Sequence, residues 1–262
     1  MPLVNLRYAA GGRFFWDWRA ETLEQQVLMP IESPEEMGHQ LAGLVGQLST
    51  DPIYPPLFER AFGDAEINRD RLAAALAQFV RSIVSFGSAY DAGLATVNDA
   101  QDDFPNLSDQ ENFGKSLFFE FDCAKCHLPD VGETSQSTFF QTVELLNNGL
   151  DIDDPSIVDR DRGRGGVTKD RADDGKFKSS SLRNIEVTGP YMHDGRFVTL
   201  DAVIEHYNWS VKPVDNLDPR LEEFAAGGRS LPEREKQAVL AFLRTLTDTK
   251  LLTTPRYGNP WQ

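Results

Sequence analysis

Cys123-Ala124-Lys125-Cys126-His127 is the stretch on which the reading of this chain turns. The pattern C-x-x-C-H sets two thiols one helical turn apart, with an imidazole directly behind the second. Thiols at that spacing can reach the two vinyl groups on one edge of a porphyrin, and the adjacent imidazole can then face its iron. The sequence holds 2 cysteines, both in this pentapeptide, so a disulfide framework is excluded. A thioredoxin-like redox pair would need a βαβ context, and a zinc site would need two further ligands at suitable spacing. The sequence pattern offers neither. The motif predicts covalent haem c held by Cys123, Cys126 and His127, with His127 on the iron.

A c-type haem iron often takes a second axial ligand. Met192, His193, His206 and Tyr207 carry suitable donor atoms downstream, and spacing alone does not choose among them.

Working outward, Ser108-Asp109-Gln110-Glu111 reads as a capping box. It heads a helix with Phe113, Leu117 and Phe118 on one side that runs into Cys123. Upstream, a periodic helix over 69–85 places Leu72, Leu76, Phe79, Val80 and Ile83 on one face. A shorter helix over 21–28 should stop before Pro30. Ser33-Pro34-Glu35-Glu36 reads as another helix start, with Ser33 as N-cap, Pro34 at the first position and Glu36 at the capping-box position. Residues 1–20 form an extended entry, punctuated by Gly11-Gly12 and followed by the aromatic cluster Phe14-Phe15-Trp16. Residues 87–107 read as a linker and 151–178 as a polar loop. A short helix over 199–207 follows the turn at Asp194-Gly195. A last amphipathic helix over 232–247 lines up Val239, Phe242, Leu243 and Leu246. With no run of alternating strands and no solenoid repeat, the expected class is all-α.

The chain has 262 residues, an apolar fraction of 40% and a formal net charge of −15. That is enough apolar sequence for a core. The acidity argues against nucleic acid as a partner, because a phosphate backbone needs a basic face. An acidic surface can steer a basic protein partner or simply keep the protein soluble. No apolar run approaches the ~20 residues of a membrane span. Met1-Pro2-Leu3-Val4-Asn5 shows no basic-then-apolar leader.

Longer motifs resemble the bacterial dihaem cytochrome c peroxidase family, including its MauG-like branch. They are Phe15-Trp16-Asp17 with Arg19-Ala20, Leu23 and Gln26; Pro34 with Glu36-Met37-Gly38; and the C-x-x-C-H at 123–127. Phe177-Lys178 leading to Ser181-Leu182-Arg183-Asn184 follows, then Thr188 to Phe197, Leu200, His206-Tyr207-Asn208 and Ala241 to Leu246.

The resemblance implies two cytochrome c-like domains, each with a haem. Residues 1–100 would be the remainder of the N-terminal, peroxide-binding domain. Residues 101–250 would be the C-terminal, electron-relay domain on His127, and 251–262 a tail. Tyr207 matches the place of the second ligand, which is Met in typical peroxidases and Tyr in MauG-like members. Trp16 matches the tryptophan between the haems. Glu36 and Gln26 match residues facing bound peroxide, and Pro30 a proline near that pocket. Backbone carbonyls at Thr188 and Pro190 match calcium ligands, while the family's calcium-binding Asn would fall at or before Met1.

The implied activity is reduction of hydrogen peroxide to water, with electrons from a small cytochrome c or cupredoxin. The alternatives are a MauG-like oxidase that modifies a protein through high-valent haem, and a monohaem electron carrier. The resemblance also implies a periplasmic location and a homodimer. One haem-attachment motif is present where the family has two, so the sequence is expected to be an N-terminally truncated piece of a longer protein.

Overall fold

The structure, a computed structural model, describes residues 2–9, 12–127, 144–151, 161–228 and 230–259. Met1, Gly11, residues 152–160 of the expected polar loop and the last three residues of the expected tail lie outside the described residues. The chain divides into two compact units, Asn5–Ile83 and Val84–Gln262 with Met1–Val4. Both are helical, and the strands among the described residues form a single two-residue ribbon.

The N-terminal unit holds α1 (Leu23–Glu32), α2 (Leu41–Thr50), α3 (Tyr54–Phe62) and α4 (Arg69–Ser82). Thr22 caps α1 by accepting from the Gln25 N–H, and Asn68 caps α4 by accepting from the Arg71 N–H. Leu28 and Ile31 of α1 bury against Leu41, Leu72 and Ala73. Contrary to the sequence expectation, α1 runs through Pro30. Proline in the last turn of a helix forfeits a single intrahelical bond, and burial of Ile31 just beyond it keeps that turn formed. The helix start expected at Ser33 is also corrected. Ser33 closes α1, and its C=O accepts from the N–H groups of Glu36 and Gly38, which makes a turn. Phe79 departs from the expected apolar face of α4, at 52% exposure, while Ala73 and Ala77 are buried in its place.

The second unit begins with α5 (Ala89–Leu94), inside the stretch expected to be a linker. Ser88 and Asp91 form a capping box, and Tyr90 and Phe104 are fully buried. Then come α6 (Asp109–Glu120), α7 (Cys123–His127), β1 (Leu145–Leu146), α8 (Arg164–Thr168) and β2 (Phe177–Lys178). The described part of the polar loop thus carries a helical turn and a strand. α9 (Leu200–Glu205) gives way to a π-helical turn over His206–Ser210, and α10 (Glu222–Ala225), α11 (Glu233–Arg244) and α12 (Thr249–Thr253) follow.

The expected capping box of Ser108 and Glu111 heads α6. Leu117 and Phe118 of α6 bury against Ala238, Val239, Phe242 and Leu243 of α11. Each such side chain contributes roughly 1.5–3 kcal/mol by leaving water. The two helices approach backbone to backbone at Gly114, where a Cβ would lie 1.8 Å from the Ala238 carbonyl oxygen. Cys123 and Ala124 of α7 pack on this same core, so the motif helix is docked on the unit's most buried layer.

Candidate functional site

Asp122 is in the left-handed region at φ 62°, a conformation Asp tolerates, and it turns the chain from α6 into α7. The Lys125 N–H donates to the Asp122 carbonyl at 3.0 Å. Arg220 holds the far end. Its guanidinium donates to the Lys125 carbonyl at 3.2 Å, to Glu144 at 2.7 Å and to Asp218 at 2.7 Å. Burial pushes the Cys126 thiol up to about 11. A redox-active C-x-x-C pair needs the opposite shift.

His127 is oriented from the segment after β2. Ser179 Oγ donates to the Cys126 carbonyl at 3.0 Å and lies 3.4 Å from His127 Nδ1. A metal-bound histidine whose second nitrogen is held in this way keeps its ring direction and tautomer. Burial lowers the His127 pKa to about 4, with a Ser180 backbone hydrogen bond opposing it, so the imidazole is neutral at physiological pH. Lys178, directly before Ser179, is 7% exposed, and burial lowers its pKa to about 8.

The four candidate second ligands fall close together. A bridge between Tyr191 and Phe197 closes the loop that carries Met192 and His193. His193 stacks on Phe177, with ring centroids 3.6 Å apart. His206 is 3% exposed, and its Nε2 lies 3.1 Å from the Asn148 carbonyl oxygen. The amide of Asn148 donates to the Tyr207 Oη at 3.4 Å and faces the Met192 sulfur at 3.7 Å. Burial pushes the Tyr207 phenol up to about 12; the Asn148 hydrogen bond lowers it, and the charges of Cys126 and Cys123 raise it. Tyr207 is therefore within electrostatic reach of both motif cysteines. A π-turn inside a helix re-aims side chains and recurs at functional sites. Here it carries Tyr207.

These residues fit haem c. Two half-buried free thiols, an imidazole held from behind and a phenol within reach of the thiols make a complete set of attachment and axial groups. Asn148, Ser179 and Arg220 escape sequence reasoning, because their roles come from contacts across long stretches of chain.

In the N-terminal unit, Trp16 is half-buried in a turn closed by the bridge between Phe14 and Ala20. Gln26 is 7% exposed on α1, and its Oε1 is buried without a hydrogen-bond partner among the described residues. Pro30 follows one turn later on the same face. The Met37 N–H donates to the Pro30 carbonyl at 3.1 Å, so the turn carrying Glu36 folds back on the end of α1. Glu36 itself is exposed. Thr188 and Pro190 lie in an exposed turn of the second unit. Among the described residues no cluster of three or more His, Cys, Asp or Glu is arranged to hold a metal ion. No helix of the described residues is long and apolar enough to cross a membrane.

Comparison with known proteins follows the same lines. The family model described as di-haem cytochrome c peroxidase matches residues 1–99. The methylamine utilization protein MauG of Paracoccus denitrificans is 33% identical over 94% of this chain and 70% of its own. The chain belongs to the di-haem cytochrome c peroxidase and MauG family. The cytochrome c551 peroxidase of Nitrosomonas europaea is 33% identical, over 94% of this chain and 66% of its own length. A solved MauG-like protein associated with microbial copper homeostasis superposes with a TM-score of 0.77 at 31% identity, over 96% of this chain and 76% of that one. This member of the family spans about two thirds of the length of the curated relatives it matches.

Proposed function

We propose that this chain serves a c-type haem oxidoreductase that reduces hydrogen peroxide to water, with electrons from a small cytochrome c or cupredoxin. The observation that carries this reading is the convergence on one place of Cys123, Cys126, His127 and Tyr207, with Cys126 and His127 held by Ser179 and Tyr207 by Asn148. Haem c attached to Cys123 and Cys126, with His127 as a ligand, supplies one-electron transfer there. Ser179 and the Ser180 backbone fix the imidazole. Tyr207, as phenolate, would be a hard anionic donor to the iron and would favour the oxidised metal.

The N-terminal unit handles the peroxide. Cleavage of the O–O bond needs a proton moved from the proximal to the distal oxygen, and Glu36 is the carboxylate assigned to that transfer. The orphaned Gln26 Oε1 accepts a hydrogen bond from a protonated bound ligand, or from the Glu36 carboxyl once it has taken up the proton. Trp16 relays electrons toward the peroxide. Thr188 and Pro190 offer carbonyls to calcium, the protein is periplasmic, and it works as a homodimer.

A second reading, oxidative modification of a partner protein as in MauG, is favoured by one observation. The side chain at the second-ligand place is Tyr207, with Asn148 donating to it, where typical peroxidases carry Met. Stopped-flow mixing of the haem-loaded protein with peroxide and a reduced small c-type cytochrome tests the main reading. Two donors oxidised per peroxide is the expected result. Peroxide consumption without donor oxidation would move the assignment to protein modification.

A further inference from the structure

Lys178 is the least explained charged group in the C-terminal unit. It is 7% exposed in β2, with Leu145 as its cross-strand partner. None of the described residues takes a hydrogen bond or ion pair from its Nζ, and burial lowers its pKa. The other buried cations behave differently. Arg183 is fully buried but makes a bidentate pair with Asp91, at 2.6 and 2.9 Å. Lys115 donates to the carbonyls of Ala100 and Asp102 and sits over the Phe104 ring. An unpaired buried ammonium is costly, and proteins retain one where an anion meets it.

The position of Lys178 says which anion. The next residue, Ser179, bonds the Cys126 carbonyl and lies against the His127 ring. Phe177, directly before Lys178, stacks on His193, so the segment 177–179 touches both the motif and the loop of candidate second ligands, between which a ligand attached at Cys123 and Cys126 would lie. Haem carries two propionates on the porphyrin edge away from the vinyl groups, and these are the carboxylates such a ligand brings.

We infer that Lys178 is a propionate-binding residue: its ammonium pairs with a carboxylate of the haem attached at Cys123 and Cys126. Removing that positive charge from beside the propionate stabilises the ferric over the ferrous haem. The pair is thus a setting of the haem potential that belongs to this chain's own sequence. The inference rests on haem c occupying the 123–127 motif.

The test uses the full haem-loaded chain and two variants, K178Q and K178R, read by intact mass and by spectroelectrochemical titration. Covalent haem is expected in all three. At a fixed solution potential, the reduced-to-oxidised ratio of K178Q should fall about tenfold, a drop of about 59 mV for a one-electron couple. K178R keeps the charge and should restore the wild-type ratio. An unchanged potential in haem-loaded K178Q overturns the inference while leaving haem binding intact. Absence of covalent haem from the wild type overturns the functional reading instead. Should K178Q not fold, resonance Raman of wild type and K178R decides. A propionate-bending band that moves when guanidinium replaces ammonium supports the pairing, and an identical band overturns it.

Discussion

The two units carry their expected site residues in opposite ways. In the C-terminal unit, α7 is docked on the core, its last carbonyls are held by Arg220 and Ser179, and Tyr207 is aimed by a π-turn and fastened by Asn148. His127 and Tyr207 there are each held by a side chain from another segment. In the N-terminal unit, Gln26 is buried with an unsatisfied oxygen, Glu36 is exposed and Trp16 is half-buried. The difference teaches that the chain supplies both shells of the C-terminal site. In the N-terminal unit the buried Gln26 oxygen has no hydrogen-bond partner among the described residues, and Glu36 faces solvent.

Changing Tyr207 to Phe should have the largest effect on that contrast. The phenyl ring cannot donate to iron, so the low-spin signal in electron paramagnetic resonance should be replaced and the potential should rise. An unchanged signal would make the Tyr207–Asn148 contact a packing feature and blur the comparison.

Asp91→Asn strikes the scaffold of the same unit. It leaves the Arg183 guanidinium, 0% exposed, without its charge partner and should cost about 3–5 kcal/mol in urea unfolding. Burial pushes the Asp91 carboxyl up, but the Arg183 hydrogen bonds and charge, helped by Ser88, outweigh it and hold the pKa below the ordinary value. The carboxyl's contribution is therefore fully present above its unfolded-state pKa of about 4. It is lost as the pH falls through the lowered folded-state value. Wild type and variant should accordingly converge in stability in acid; a gap that stays constant would remove Asp91 as its source.

For the N-terminal unit, Glu36→Gln should slow peroxide turnover on the order of 100-fold in the two-haem form, with haem content intact. Full turnover would leave Glu36 a surface residue of a turn and deepen the contrast between the units. The smallest effect is expected from Ser108→Ala. Loss of the α6 cap should cost about 1 kcal/mol in thermal or urea unfolding, without touching the haem spectrum.

What was legible in the sequence was local. The C-x-x-C-H motif, the capping box at Ser108 and the apolar face of α11 each lie within one turn or one helix, and the periodicity that announces them is the periodicity they adopt. The stretch 87–107 misled because its Gly, Asp and Asn do structural work. Asp91 closes a capping box and pairs with Arg183, and a Cβ at Gly93 would meet the Phe104 ring at 2.3 Å. A composition chosen for close packing looks like a linker. Pro30 points to an earlier end for α1 because proline breaks helices in their interior, yet it costs little in a last turn. The π-turn, Asn148, Ser179 and the isolation of Lys178 had no local signature. They depend on pairs such as 148–207 and 126–179, which come together only when the unit folds.

The central claim is that this chain binds haem c covalently at Cys123 and Cys126. Peptide mapping by mass spectrometry, on protein matured in a host with cytochrome c maturation machinery, tests it most directly. The account predicts haem on the proteolytic peptide containing residues 123–127, with a matching pyridine haemochrome spectrum. That peptide recovered at its unmodified mass, with both thiols free, would contradict it.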